Sequence, residues 1–223
     1  MEQYSQEWWQ ARKFKYTSSN IHKLCTDPKT KADKEAGVLS QTAMGYIIEK
    51  ITEELDGFLP DFNNDAMAWG AEQEEQAAKW YRKIKGVEIS EAGFCEYSDV
   101  YGGSPDRKVV CPTDGAGGLE IKCPYNSANH IKHCLIDSEE YFKKYHEDKY
   151  WQCVSHIITL NAAFCDFVSF DPRIDNDLGF FCFRLYRNED EIKFLLSRIE
   201  KAEEVKRALK LQLGIDVLKN VTI

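Results

Sequence analysis

The sequence contains no long apolar run and no cysteines at C-x-x-C spacing, and these absences argue against membrane-spanning proteins and zinc modules. No stretch approaches the roughly 18 apolar residues of a membrane-spanning helix. The N-terminal segment MEQYSQEWWQARK lacks the apolar centre of a signal peptide. Eight cysteines are scattered without a C-x-x-C pair, which disfavours a zinc module and, without an export signal, predicts free buried thiols.

An excess of positive charge is also missing. The formal net charge is −8, which argues against sequence-independent binding of nucleic acid over the whole surface. Lys and Arg are nevertheless dense in two segments, 12–34 and 193–210. An acidic surface with a confined positive channel would restrict where a nucleic-acid substrate binds.

Apolar periodicity divides the chain into helical and extended regions. Helices are predicted over 5–15, 17–24, 40–55, 65–84, the second half of 138–160, and 188–213. Strands are predicted over 87–99, 107–111, 118–123, 162–171 and 179–187, and a charged loop over 26–37. This order predicts one α/β (α+β) domain over 1–223, with a central mixed β-sheet flanked by helices.

The segment GGSPDRKVVCPTDGAGGLEIKCP places two acids and a base on neighbouring strands. Glu120 and Lys122 stand two residues apart on a strand, so their side chains project from the same face. If PTDGAG is the loop of an antiparallel hairpin, Cys111 lies opposite Gly118 and Asp106 lies beside the second strand. Cross-strand neighbours lie about 4.5–8 Å apart, so the two carboxylates can converge next to the lysine.

Two carboxylates at this separation are costly unless a cation lies between them. Rigidly held oxygen ligands suit Mg²⁺ or Mn²⁺, which keep several waters and leave room for a substrate phosphate. A neighbouring lysine can orient or deprotonate water, or neutralise developing charge. The arrangement is typical of metal-assisted phosphodiester cleavage. The alternative is an ordinary hairpin whose polar residues face water, which Glu-x-Lys alone would favour.

The hairpin and four other segments resemble the phage lambda exonuclease family of viral recombination nucleases, within the PD-(D/E)xK nuclease superfamily. The hairpin supplies GGSPDRKVV and GGLEIKCP. The other segments are WWQARKFKYTSS, AWGAEQEEQAAKWY, YWQCVSHIITL and FVSFDPR, and together they span, with gaps, about residues 8–173. The resemblance implies a restriction-endonuclease-like core for the mixed sheet.

The resemblance assigns catalytic roles to the hairpin. Asp106 and Glu120 would bind the metal ions with the backbone carbonyl of Ile121, and Lys122 would position or activate the attacking water. The implied cofactor is a pair of Mg²⁺ ions, which Mn²⁺ could replace.

Two further residues, Glu74 and Gln152, would line the site, the first near a second metal ion. Glu74 belongs to an acidic run with Glu72 and Glu75, either of which would take its place after a small shift of register. Without the resemblance, the acidic run is interpreted as a solvated helix face and Gln152 as a structural residue.

The resemblance also implies a pocket for a terminal 5′-phosphate, formed by Arg12, Thr17, Ser19 and Ser104. The planar fork of an arginine matches phosphate oxygens, and hydroxyls with free backbone N–H groups at a helix start complete an anion site. The alternative for Arg12 and Ser19 is an ordinary surface or capping role.

Histidines near the motif have less specific interpretations. His130, Lys132 and His133 form a small basic cluster, for which contact with the DNA backbone and a structural role are both open. His156 is interpreted as a structural histidine.

The resemblance implies a Mg²⁺-dependent 5′→3′ exonuclease on double-stranded DNA ends, which leaves 3′ single strands for recombination by single-strand annealing. It further implies a ring-shaped homotrimer, an annealing protein as partner, and a cytoplasmic location in a bacterial host, with a phage or prophage gene. The lack of a long apolar run predicts no membrane association. Two alternatives stay open. One is a PD-(D/E)xK endonuclease of restriction or repair type, and the other a non-catalytic DNA-end-binding module.

Overall fold

The computed structural model describes residues 3, 5–57, 65–175 and 177–215. The helices are α1 (Gln6–Arg12), α2 (His22–Cys25), α3 (Lys31–Glu35), α4 (Gln41–Asp56), α5 (Asp65–Lys85), α6 (Ser127–Cys134), α7 (Glu139–Tyr145), α8 (Glu147–Leu160) and α9 (Glu189–Gln212), with 3-10 turns at Ser18–Asn20 and Asp177–Gly179. The strands are β1 (Tyr16–Thr17), β2 (Glu88–Glu91), β3 (Cys95–Ser98), β4 (Tyr101–Gly103), β5 (Arg107–Cys111), β6 (Gly115–Lys122), β7 (Phe164–Phe170) and β8 (Phe180–Tyr186). None of the described helices combines the length and apolar character that a bilayer crossing requires.

Five strands form the main sheet in the order β2-β5-β6-β7-β8. β6 and β7 pair in parallel, and the other neighbours are antiparallel, so the predicted mixed sheet is confirmed. A parallel pair needs a long crossover connection, which α6, α7 and α8 supply. A second sheet has the order β1-β4-β3, with β1 parallel to β4.

Strand alternation gives the main sheet two faces with different coverings. On β7, Phe164 and Val168 belong to the apolar cluster that includes α5, whereas Cys165 and Phe167 belong to the cluster that includes α8. On β6, Leu119 lies on the α5 face. Because successive strand residues point to opposite faces, the even-numbered residues of β6 project towards α8.

The hairpin between β5 and β6 is tighter than the sequence suggested. Cys111 pairs with Gly115 rather than Gly118, because Gly115 takes a left-handed φ of +79° and closes the turn early. Asp106 nevertheless lies beside the second strand, since its backbone N–H donates to the Leu119 carbonyl at 3.0 Å.

Short helices form where the sequence pattern did not indicate them. α3 lies within the charged segment that was predicted as a loop, and α6 and α7 fill the region between β6 and α8. Side-chain oxygens of Thr30, Asn126 and Ser138 cap the first turns of these helices. Local capping, which apolar periodicity does not report, starts all three.

The contact between Gly117 and Phe164 provides a test of the β6–β7 packing. A Cβ at Gly117 would overlap the buried Phe164 ring, which the Arg184 guanidinium also covers at 3.7 Å. We therefore expect Gly117→Ala to lower the free energy of unfolding by about 1–3 kcal/mol, measured by urea denaturation.

The matched control is Gly45→Ala on α4. Gly45 is exposed, and a Cβ there meets nothing within 4 Å, so the same substitution should raise the free energy of unfolding by about 0.5–1 kcal/mol. Equal effects of the two substitutions would show that the β6–β7 contact is not as close as described.

Candidate active site

The end of β6 brings the expected acids and lysine into one cluster. Asp106 Oδ2 accepts a hydrogen bond from the Ile121 backbone N–H at 2.6 Å, and Lys122 Nζ pairs with Glu120 Oε1. Because the N–H and C=O of one strand residue point to the same side, the Ile121 carbonyl also faces Asp106. The Glu120 side chain is 1% exposed and that of Lys122 is 34% exposed, so the lysine reaches outwards from a buried carboxylate.

A buried histidine on α8 holds the other oxygen of Glu120. His156 Nε2 lies 2.7 Å from Glu120 Oε2, with both side chains inaccessible to solvent. The carboxylate can only accept, so the imidazole donates this hydrogen bond. The sequence interpretation of His156 as merely structural is therefore incomplete. A signal existed, because His156 follows Gln152 by four residues, the spacing of one helix face.

Opposing effects set the ionisation of the two central carboxyl groups. Burial alone would raise the pKa of Glu120, but Lys122 and His156 outweigh it and lower that pKa to about 2. Burial raises the pKa of Asp106 well above its usual range, and the charges of Glu120 and Glu74 raise it further. The cluster thus holds one firmly ionised carboxylate beside one whose charge is disfavoured.

Glu74 approaches the cluster from α5 and is held by an arginine. Arg107 Nη1 contacts Glu74 Oε1 at 2.9 Å, and Arg107 Nη2 contacts Glu75 Oε2 at 3.1 Å. Burial raises the pKa of Glu74 against the effect of Arg107, and Glu120 adds to the rise. Glu72 and Glu75 are exposed, so Glu74 is the acid of this run that faces the cluster. Arg107 is a site residue that the sequence reasoning missed.

Gln152 lies one helical turn before His156. A Cβ at Gly118 would lie 3.1 Å from Leu160 Cδ1, and Glu120 contacts His156, so α8 runs antiparallel along β6. Four helical residues and two strand residues advance by similar distances, about 6 Å and 6.6 Å. Four residues before His156 on α8 and two residues after Glu120 on β6, Gln152 therefore lies level with Lys122.

The expected phosphate-binding residues form two pairs. Ser104 Oγ accepts hydrogen bonds from Trp8 Nε1 at 2.8 Å and from Arg12 Nη1 at 3.2 Å. The hydroxyl oxygens of Thr17 and Ser19 are 3.4 Å apart, with Thr17 buried and Ser19 exposed. Trp8 is buried, and its indole N–H gives this core residue a polar contact with Ser104 as well.

Close packing connects the two pairs to the carboxylate cluster. A Cβ at Gly103, the residue before Ser104, would overlap the Ser18 hydroxyl, so only glycine fits where these segments meet. Ser18 Oγ is hydrogen-bonded to Ser155 Oγ of α8 at 2.7 Å. The helix that contacts Glu120 therefore also fixes the segment with the candidate phosphate ligands.

The basic cluster after the motif is only partly available to DNA. His130 and His133 are buried, and Nδ1 of each lies 2.8 Å from Ser169 Oγ. Contact of these two rings with DNA phosphates is therefore not supported, because both rings are buried and Nδ1 of each is engaged by Ser169. Lys132, by contrast, is exposed.

The mixed sheet with an Asp and a Glu-x-Lys at the meeting of β5 and β6 defines the PD-(D/E)xK class of nucleases. Residues 7–161 match the model of the YqaJ-like viral recombinase domain. The chain belongs to this family, and the predicted relationship to viral recombination exonucleases is confirmed.

Solved exonuclease structures share the fold. LHK-Exo, an alkaline exonuclease from Laribacter hongkongensis, is 26% identical over 97% of this chain and 100% of that chain, with a TM-score of 0.75, and its complex with dAMP gives 0.77. A phage-related exonuclease from Haemophilus somnus 129PT is 22% identical over 89% of this chain and 96% of that chain, with a TM-score of 0.71. No curated protein matches the chain. Homology to alkaline exonucleases supports the expected deoxyribonuclease.

The contact between His156 and Glu120 makes a prediction about deoxyribonuclease activity. His156→Leu removes the N–H donor while keeping a buried side chain of similar size, so Glu120 loses the partner that orients it. We expect kcat to fall about 10–100-fold, with a smaller change in KM. His156→Gln keeps an N–H donor and should restore part of the activity. Equal kcat values for the two variants, at equal thermal stability, would rule out this positioning role.

Proposed function

We propose that this protein is a Mg²⁺-dependent 5′→3′ exonuclease that acts on double-stranded DNA ends and leaves 3′ single-stranded overhangs. The observation that carries the proposal is the position of the Arg12–Ser104 pair. Ser104 precedes Asp106 by two residues, at most about 7 Å of extended chain. A strand end whose phosphate is bound at Ser104 would therefore lie next to the carboxylate cluster.

The carboxylates of the cluster suit a divalent cation. Burial and like charges disfavour the ionised form of Asp106, and a cation between the carboxylates would relieve both effects. Among the residues that the structure describes, no three His, Cys, Asp or Glu side chains are arranged to hold a metal ion. Mg²⁺ commonly takes one or two carboxylates with waters and substrate phosphates, so Asp106, Glu120 and the Ile121 carbonyl would suffice, and Glu74 would serve a second ion.

Bound there, Mg²⁺ would supply Lewis acidity and lower the pKa of a coordinated water. Lys122 would act as a cation rather than as a base. Burial lowers its pKa, but Glu120 and Asp106 outweigh this and raise the pKa above the usual value. Its ammonium group would orient the attacking water and stabilise negative charge on the scissile phosphate.

The Arg12–Ser104 pair would bind the terminal 5′-phosphate and so set the polarity of digestion. The Ser104 oxygen accepts two hydrogen bonds, so the hydroxyl proton is left to donate to a phosphate, beside the guanidinium of Arg12. In each cut, the water oxygen bonds to phosphorus, the P–O3′ bond breaks, and O3′ takes a proton. The shortened strand then carries a new 5′-phosphate, the ligand that the same pair would bind in the next cycle.

We extend the proposal to the assembly and partner that the family resemblance implies. A ring-shaped trimer would enclose the duplex, and a single-strand annealing protein would receive the exposed 3′ strand. Enclosure would retain DNA on a chain whose net charge of −8 gives little general attraction for it.

Digestion of an end-labelled linear duplex tests the central claim. With Mg²⁺ we expect labelled mononucleotides from 5′-phosphorylated ends, no digestion in EDTA, and no cutting of a closed circle. Asp106→Asn and Glu120→Gln should each lower the rate at least about a hundredfold without unfolding the protein. Efficient cutting of the circle would favour an endonuclease, and DNA-end binding without digestion in Mg²⁺ or Mn²⁺ would favour a binding module.

A comparison of duplexes with 5′-phosphorylated and 5′-hydroxyl ends tests the role of the Arg12–Ser104 pair separately. We expect the wild-type protein to prefer a 5′-phosphorylated end over a 5′-hydroxyl end, and Arg12→Ala to reduce this preference about tenfold or more, because a hydrogen bond to a charged group contributes about 1.5–3 kcal/mol. Arg12→Lys keeps the charge but loses the fork, and should be intermediate. An equal loss of rate on both substrates would assign Arg12 to structure instead of recognition.

A further inference from the structure

A cavity of about 420 Å³ opens beside the active-site cluster. It lies between the end of β6, α6 and the junction of α7 and α8, and its lining includes Lys122, Lys132, His133, Tyr145, His146 and Lys149. The volume falls in the usual range of small-ligand sites, about 300–1,000 Å³.

The cavity and the Arg12–Ser104 pair lie on opposite lateral sides of β6 within the sheet. β5, which follows Ser104 and Asp106, flanks β6 on one side. β7 flanks it on the other side and contacts α6 through Ser169. A DNA strand that occupied both places would therefore cross the cluster at Glu120 and Lys122.

The charge of the cavity is positive, although the chain as a whole is acidic. Lys149 contacts Asp148 at 2.5 Å, and Lys122 is paired with Glu120. Lys132 is exposed, and no acid pairs with it among the ion pairs of the described residues. Asp148 also lines the cavity, so an anion that entered would share Lys149 with this carboxylate and would meet Lys132 without an acid partner among the described ion pairs.

Hydrogen bonds fix one neutral acceptor in the cavity wall. In neutral His130, Nε2 donates to the Leu178 carbonyl at 2.7 Å, so Nδ1 accepts the Ser169 hydroxyl proton. The Ser169 oxygen then accepts from His133 Nδ1, which leaves a lone pair on His133 Nε2. Burial lowers the pKa of His133 to about 3, so this ring is an acceptor, not a cation, at neutral pH.

We propose that this cavity is a second nucleotide subsite, in which Lys132 and Lys149 bind a DNA phosphate and His133 Nε2 accepts a hydrogen bond from a base. Tyr145 is 57% exposed at the rim and offers a ring on which a base can stack. The inference rests on the proposed exonuclease function. The nucleotide is either part of the substrate strand or the released mononucleotide, since both present the same phosphate and base.

The experiment compares wild-type protein with Lys132→Ala/Lys149→Ala and with a control, Lys79→Ala/Lys83→Ala. The control removes two exposed α5 lysines that do not line the cavity. One arm measures binding of a 5′-phosphorylated duplex in EDTA by fluorescence anisotropy over a series of salt concentrations. The other arm measures inhibition of Mg²⁺-dependent digestion by thymidine monophosphate. Thermal unfolding confirms that each variant is folded.

If the nucleotide is part of the substrate strand, the cavity variant should bind the duplex more weakly than the wild type. Its slope of log K against log salt should be shallower by about 1 per lysine removed. A released nucleotide predicts instead a rise of about tenfold or more in the thymidine monophosphate inhibition constant. Either result supports the subsite if the control matches the wild type. If the wild type, the cavity variant and the control give the same duplex affinities, salt slopes and inhibition constants, the subsite proposal is wrong. Failure of the wild type to digest DNA would count against the proposed function, and the EDTA arm would still decide the cavity.

Discussion

The buried carboxylate of Glu120 is the constraint on which the site depends. An ionised group removed from water costs several kcal/mol unless it is paired and hydrogen-bonded. Lys122 pairs with one of its oxygens and His156 donates to the other. The strand thus supplies one partner and the crossover helix α8 supplies the second, so the burial of Glu120 in its charged form depends on the packing of α8 on β6.

This dependence explains why the remaining site residues come from elements that converge on α8 and β6. Ser155 of α8 is hydrogen-bonded to Ser18, next to the glycine that precedes Ser104. Arg107 brings Glu74 to the cluster from the opposite face of the sheet. The Arg12–Ser104 pair and the acidic cluster are therefore parts of one packed unit, since a shift of α8 would disturb both.

How far the sequence predicts this unit depends on the range of each interaction. The convergence of Asp106, Glu120 and Lys122 follows from strand alternation and a hairpin, both local properties, and the predicted mixed sheet is confirmed. The hairpin register was wrong because apolar pattern does not reveal that Gly115 is left-handed. His156, Arg107 and the Trp8 bond to Ser104 were missed because they join residues 36, 33 and 96 positions apart. Their partners are chosen by the packing of helices on the sheet.

Charge pairing gives a physical reason why an acidic nuclease of the proposed function would act at a strand end. Close to the cluster, Lys122 is paired with Glu120, Lys149 with Asp148, and Arg107 with Glu74. Such pairs hold each cation in place, and the paired acid offsets much of its charge. Salt at 0.1 M screens the remaining field beyond about 10 Å. Binding at this face would then depend on phosphates that fit individual positions, because long-range attraction is weak. A duplex interior presents the same charge as an end, so under the proposed function selectivity for ends would come from the fit of the terminal phosphate at Arg12 and Ser104.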